Sequence, residues 1–419
     1  MFKVPPFATR ANWVYENTPW RDVIQMTFKS PIADGKHITV RDTPAIHFGN
    51  VSYVGLDTDE RLKNAAMEAI GRYGVQFSSS RAYVQLPYYE ELESLLELMF
   101  GRPCMATPTT TLAHQAAMPL FMQPEDAVLV DYQAHASLQM NLEIVRARGT
   151  HVEAIAHNNL NVLEERIQAL SAKHERIWYV ADGVYSMFGD TGPMAELPAL
   201  LDRYEQLHVY LDDAHGMSWT GKHGTGLVCE KMPLHERVLL VTSLNKGFAS
   251  GGGCIVCPDR DVWNWLKRCG SSLVFSGPLQ PGQLAAGVAS AKIHCSPEIT
   301  ERQQRVRSNI RYFLEYATKY NVLLANYSET PIFFAAVGKT HTGVALCKKL
   351  REAGFYTNLG IFPAVPLNQT GLRISVHYHL EKENIDHLLR LLAEYLPQIM
   401  LETNTKKENT ERAFSRRQR

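Results

Sequence analysis

Val238-Leu239-Leu240-Val241-Thr242-Ser243-Leu244-Asn245-Lys246-Gly247-Phe248-Ala249 is the stretch on which the fold turns. Four successive branched or long apolar residues suit a strand covered on both faces, as in a sheet flanked by helices. The run ends on two hydroxyls, and one lysine follows just beyond them. Gly247 and the later Gly251-Gly252-Gly253 leave room for a flat ligand to approach the backbone. A lysine held partly out of water becomes a nucleophilic amine able to form an imine. An isolated lysine after a strand is usually a surface residue, so its meaning depends on what the rest of the chain supplies.

Working outward, apolar runs at 127–131, 152–156, 177–181 and 208–212 read as strands, separated by segments of helical period. Such alternation predicts a mostly parallel sheet with helices on both faces, and ligands then sit beyond the carboxyl ends of the strands. Asp131, Asp182, Asp212 and Ser243 all fall at those ends. Before the sheet, helices are expected over 61–73 and 88–100. Thr109, Thr110 and Thr111 precede a further apolar helix, where they serve as caps and where an anion is favoured by free amides and the helix dipole. Beyond residue 295 the pattern changes to a smaller α+β domain, with helices at 301–319, 343–353 and 382–396 and strands near 332–334 and 372–376. The expected division is an N-terminal arm (1–50), a large domain (51–295), a small domain (296–400) and a disordered tail (401–419). Arg416-Arg417 in that tail is read as part of a frayed terminus.

Composition narrows the function. Lys plus Arg and Asp plus Glu both number 43, so no net field favours nucleic acid or an anionic membrane. Seven cysteines in so long a chain argue against a disulfide framework and for a reducing compartment. Cys254 and Cys257 lie in an apolar run with no second ligand pair, which marks them as buried structural residues rather than a zinc site. No stretch is long and apolar enough to span a membrane, and the N-terminus lacks the apolar segment of a signal peptide. The expected location is cytoplasmic.

Four pieces then combine. Lys246 brings an amine, and Asp212-Asp213-Ala214-His215 closes a buried strand with a carboxylate and an imidazole. Ala134-His135-Ala136-Ser137 opens a helix beside the sheet, and Arg373 lies in a strand of the small domain. A buried carboxylate keeps a pyridinium nitrogen protonated, an imidazole stacks on the ring, and a lysine holds an aldehyde carbon. Read without that ligand, Asp212 caps a turn and the two histidines are satisfied core residues.

The chain resembles the α-oxoamine synthase family of pyridoxal 5'-phosphate (PLP) enzymes, of the aspartate-aminotransferase fold (fold type I). The resemblance rests on Ala134-His135-Ala136-Ser137-Leu138, on Asp182-Gly183-Val184-Tyr185-Ser186-Met187-Phe188-Gly189-Asp190, on Asp212-Asp213-Ala214-His215-Gly216 and on Ser243-Leu244-Asn245-Lys246-Gly247, in the family's order and spacing. It implies a mostly parallel seven-stranded sheet, PLP as cofactor, and a homodimer. The implied reaction joins an amino acid to an acyl thioester (coenzyme A or acyl carrier protein) with loss of carbon dioxide, giving an α-amino ketone. Glycine, alanine or serine is the amino acid the family favours. Lys246 is then the lysine that carries the cofactor, Asp212 the partner of the ring nitrogen, and His135 the stacked imidazole. His215 and Ser186 lie near the phenolic oxygen, and Ser243 near the phosphate. Asp182 joins the cofactor-binding set, and Arg373 binds the amino-acid carboxylate.

The chain departs from the family pattern in four places. Thr109-Thr110-Thr111 replaces a Ser-Gly-aromatic phosphate segment, and Ser52 stands where an asparagine precedes Tyr53-Val54-Gly55-Leu56. Ser78-Ser79-Ser80-Arg81-Ala82-Tyr83 replaces a glycine-rich loop near the acyl donor, which makes Arg81 a candidate substrate residue. Phe275-Ser276-Gly277-Pro278-Leu279, by which a neighbouring subunit reaches the phosphate, keeps Ser276 but lacks the hydroxyl pair after it. Transamination, aldol-type cleavage and a non-catalytic partner subunit are the competing readings. A PLP-sensing regulator would need a DNA-binding extension that the sequence does not contain.

Overall fold

Val238–Ser243 is a strand buried along its whole length in a computed structural model that describes residues 3–415. It belongs to a seven-stranded sheet ordered Cys104–Thr107, Gly253–Val256, Val238–Ser243, Leu207–Asp212, Ile177–Asp182, Ala127–Asp131, His151–Ile155. The five strands from Val238–Ser243 to His151–Ile155 pair in parallel, and Gly253–Val256 runs antiparallel to both its neighbours. Side chains alternate between two apolar clusters. Val209, Leu211 and Leu240 enter one, while Tyr210, Leu239 and Val241 enter the other. Burial on both faces accounts for the continuous apolar runs in the sequence.

The order reverses between Ala127–Asp131 and Ile177–Asp182, because the intervening strand His151–Ile155 sits at the edge. A crevice at the carboxyl ends follows from that reversal. Register aligns Asp182 with Asp212, and Asp212 with Val241, so the acidic strand ends lie side by side. Helix Thr110–Phe121 begins with Thr109 as its cap, whose side chain accepts from the Leu112 amide at 3.0 Å. Its alanines 113, 116 and 117 pack on the Tyr210 face of the sheet. Cys254 and Cys257 are buried in and just after an interior strand, as their apolar setting required.

The sheet lies in a unit made of residues 54–185 and 191–304, and the other unit gathers residues 1–53, 186–190 and 305–419. In this second unit His37–Val40 and Thr43–His47 form a hairpin extended by Phe355–Tyr356. Thr370–Ser375 pairs antiparallel with both Ile332–Gly338 and Asn358–Gly360. Helices Thr340–Glu352 and Lys382–Glu402 accompany that sheet.

The N-terminal segment carries the helix Pro6–Glu16 and the hairpin. One expectation changes here. The tail is not disordered as far as it is described: Lys407–Ser415 is a helix. Its Phe414 is buried against Phe334, with ring centroids 6.1 Å apart, and Thr410 is buried as well. One well-placed aromatic anchors a segment whose average composition is polar. Arg416-Arg417 lies outside the described residues.

Candidate active site

The carboxyl ends of the parallel strands open on a cavity of about 450 Å³. Thr109, Thr110, Thr111, His135, Asp182, Asp212, His215, Ser243 and Lys246 all line it, so nine of the residues picked from sequence meet at one place. Each is delivered by the last residue of a strand, by the turn after it or by the start of a helix. Lys246 is half-buried three residues past the end of Val238–Ser243. His135 is the cap of helix Ala136–Ala147, its Nδ1 accepting from the Ser137 amide at 3.2 Å. With Nδ1 so occupied, the neutral ring carries its hydrogen on Nε2. Burial depresses the His135 pKa; the Asp212 charge opposes this and Lys246 reinforces it. His135 is therefore a neutral donor.

Three carboxyl groups are fully buried here, and their environments separate them. Burial would push Asp212 up, but the His114 hydrogen bond, the Lys246 charge and the Ala214 amide hold it down at about 2. His114 Nε2 lies 2.9 Å from Oδ2, and the Ala214 amide donates to Oδ1 at 2.9 Å. Asp182 has burial and the neighbouring Asp212 charge against it, and its pKa rises well above the carboxylate range. Asp213 is raised to about 8 by burial, only partly offset by the Val228 amide donating to Oδ2 at 3.0 Å. Of the two carboxyl groups that line the cavity, Asp212 is held in its charged form and Asp182 is pushed towards its neutral one, and Lys246 brings the amine to the same cavity.

The glycines do something other than make space for a ligand. A Cβ on Gly253 would lie 2.8 Å from the amide nitrogen of Thr110, and one on Gly247 2.9 Å from Ser218 Cβ. Those two positions let a helix start and a neighbouring loop close onto the backbone, while Gly251 and Gly252 line the cavity. The threonine-capped helix start is in this way pressed against the strand beside Lys246.

Other candidates lie elsewhere. Arg81 does not line the cavity; its guanidinium forms a two-pronged pair with Glu93 at 2.6 and 2.8 Å, with both side chains buried. That pair, rather than the cavity, engages its guanidinium. Ser276 is outside the lining, its hydroxyl donating to the Ser272 carbonyl. Ser52, Ser186 and Arg373 belong to the other unit. There Arg373, buried on Thr370–Ser375, donates from Nε to the Ser186 carbonyl at 2.6 Å and from Nη1 to Ser375 Oγ at 3.3 Å. Ser52 is buried behind the turn at Tyr53.

Sequence reasoning passed over His114 and Gln283. His114 lies one helical turn after Thr110, the spacing that puts both on one face, and that was the available signal. Gln283 lines the cavity from a helix start where it also closes a capping box with Gln280.

The residues present fit a pyridoxal phosphate. An ionised buried carboxylate suits the ring nitrogen, an amine the aldehyde, and a hydroxyl-rich helix start the phosphate. The family model for aminotransferase class I and II matches residues 49–392. An 8-amino-7-oxononanoate synthase from Thermosipho melanesiensis is 30% identical over 367 residues, covering 87% of this chain and 90% of that protein. A serine palmitoyltransferase from Bacteriovorax stolpii is 26% identical over 362 residues, covering 85% and 84%. Among solved structures, the Sphingomonas wittichii serine palmitoyltransferase superposes with a TM-score of 0.84 at 21% identity, covering 94% of this chain and 97% of that one. A variant of the S. paucimobilis enzyme bound to PLP and myriocin gives 0.85 at 19% identity, covering 95% and 100%.

Fold and site together define a PLP-dependent enzyme, and the chain belongs to the aminotransferase class I and II family. Within that family it is an α-oxoamine synthase, a transferase that condenses an amino acid with an acyl thioester to form an amino ketone. No helix among the described residues is long and apolar enough to cross a membrane.

Proposed function

We propose that this enzyme performs a decarboxylating condensation of a small amino acid with an acyl thioester, with Lys246, Asp212 and His135 as its central groups. One observation carries the reading: a lone amine, a lone buried anion and a neutral imidazole converge on the cavity that the threonine-capped helix also enters. Bound PLP supplies the electron sink that makes the amino-acid α-carbon acidic. Asp212 would hold the ring nitrogen, and Thr109, Thr110, Thr111 and Ser243 would receive the phosphate. His215 would act beside the phenolic oxygen, and Asp182 lines the same cavity. Arg373 is the carboxylate anchor, a role suited to its rigid fork. Lys246 would take the α-proton as general base. His135, whose Nε2 carries hydrogen, would lie against the ring and donate to the oxyanion that develops on the thioester.

Support for a homodimer comes from the family resemblance and from Phe275, which is 86% exposed beside Ser276 in the segment expected to reach a neighbouring phosphate. A reducing, cytoplasmic setting is supported by seven free cysteines, four of them buried. The test incubates the holoenzyme with glycine, alanine or serine and a panel of coenzyme A and carrier-protein thioesters. Thiol release, carbon dioxide and an amino ketone should appear together. Thiol release without an amino acid, or a keto acid with pyridoxamine phosphate, would overturn the condensation in favour of hydrolysis or transamination.

A further inference from the structure

Asp212 does not act alone. His114 has no exposed surface, and its two ring nitrogens are both engaged: Nε2 on Asp212 Oδ2 and Nδ1 on the Tyr210 hydroxyl, each at 2.9 Å. Tyr210 precedes Asp212 by two residues on the same strand, so their side chains leave the sheet on one face, towards helix Thr110–Phe121. A carboxylate only accepts hydrogen bonds, so Nε2 must be the donor. Burial pushes the Tyr210 phenol above its ordinary value, which keeps it a neutral hydroxyl. The result is a dry chain of hydroxyl, imidazole and carboxylate ending at the one ionised acid of the cavity.

We infer that His114, held in place by Tyr210, is a positioning residue that keeps the proton shared between Asp212 and the cofactor on the ring nitrogen. The inference rests on the reading of Asp212 as the ring-nitrogen partner. A carboxylate that accepts hydrogen bonds in its charged form has a weaker claim on any further proton. Asp212 accepts from the Ala214 amide at Oδ1 and from His114 at Oδ2, and the second of these is a side-chain donor that mutation can remove. Without it, burial would act on the Asp212 carboxyl with less to oppose it, and the group would gain proton affinity. The proton would then pass from the ring nitrogen to Asp212, and the ring would lose strength as an electron sink. Tyr210 contributes by fixing the rotation of the imidazole, since its hydroxyl gives Nδ1 a partner in only one orientation. Neither residue touches the reacting atoms.

The experiment loads wild-type, Asp212→Asn, His114→Leu, His114→Gln and Tyr210→Phe enzymes with PLP labelled with nitrogen-15 in the ring. The ring-nitrogen chemical shift and the PLP dissociation constant are both measured. His114→Leu should move the shift toward the unprotonated value and weaken PLP binding at least tenfold. His114→Gln returns an N–H donor of similar reach and should restore most of both. Tyr210→Phe should weaken binding about threefold with a smaller change in shift. Should His114→Leu fail to fold, the Tyr210→Phe and His114→Gln enzymes decide the matter alone. If Asp212→Asn changes the shift but neither His114→Leu nor Tyr210→Phe does, the role of His114 is refuted while that of Asp212 stands. If Asp212→Asn leaves the shift unchanged, the reading of Asp212 itself fails.

Discussion

Breaking the Arg81–Glu93 pair should cost a large share of the stability of the unit that holds it. Arg81 Nη1 and Nη2 reach the two Glu93 oxygens at 2.6 and 2.8 Å, and the side chains are only 10% and 7% exposed. Arg81 also lies over the Tyr89 ring at 4.1 Å, and Glu93 Oε1 accepts from the Ala106 amide at 2.9 Å. Replacing one partner leaves the other as an unpaired buried charge, which costs about 3–5 kcal/mol. Arg81→Met and Glu93→Gln should each lower the melting temperature by roughly 10 °C, at ~2–4 °C per kcal/mol for a unit of this size. The double variant Arg81→Met/Glu93→Gln removes both charges and keeps an acceptor for Ala106, so it should recover more than half of the loss. Thermal scans of all four holoenzymes at one PLP concentration complete the cycle, because bound cofactor adds equally to each. Single-variant losses below ~1 kcal/mol, the size found for exposed pairs, would refute this account of the site. A well-folded Arg81→Met enzyme with a raised KM for acyl thioester would return Arg81 to the substrate site.

Lys246→Ala should leave no borohydride-stable adduct of PLP, seen as a missing modified peptide by mass, and should lower kcat on the order of 10³-fold, within the range for losing a general base. Asp213 ionises near 8 in the folded chain and far lower when unfolded, so the native state holds the extra proton and stability falls as pH rises from about 4 to about 8. Asp213→Asn should flatten that fall in melting temperature, and an unchanged pH dependence would count against a neutral Asp213. Gly253→Ala places a methyl 2.8 Å from the Thr110 amide and should destabilise by about 1–3 kcal/mol while weakening PLP binding, read by melting and by cofactor titration. Phe414→Ala should cost about 3–5 kcal/mol in chemical unfolding, whereas a loss near zero would mean that the tail helix does not pack as described.

The sheet was legible because strands buried on both faces leave long apolar runs, and acidic residues at their ends mark the cavity without any knowledge of distances. The strand Cys104–Thr107 was not, since four residues flanked by glycine and proline carry too little pattern to separate strand from loop. The tail failed for a related reason: composition averages over a segment, and one buried Phe414 outweighs a run of charged neighbours. Lys246, Asp212 and His135 were found because each has chemistry that a core rarely needs. The Arg81–Glu93 pair was not legible, because an arginine in a drifted loop looks the same whether its partner is a substrate or Glu93, twelve residues on.

His114 shows where a motif reading stops and a physical one continues. Its sequence neighbours are threonines, which draw the eye to phosphate, while its own partners, Tyr210 and Asp212, sit 96 and 98 positions away along the chain. A lone histidine in an apolar helix reads as a satisfied core residue, and that description is accurate here. What it omits is the identity of the group that does the satisfying. A buried imidazole bonded to a backbone carbonyl only stabilises the fold, as His294 does on Ser290. The same imidazole bonded to the single ionised carboxylate of a cavity also sets how firmly that carboxylate holds a proton. Structural satisfaction and chemical tuning are then one hydrogen bond, and an Asp212 without it would be both less stable and less acidic.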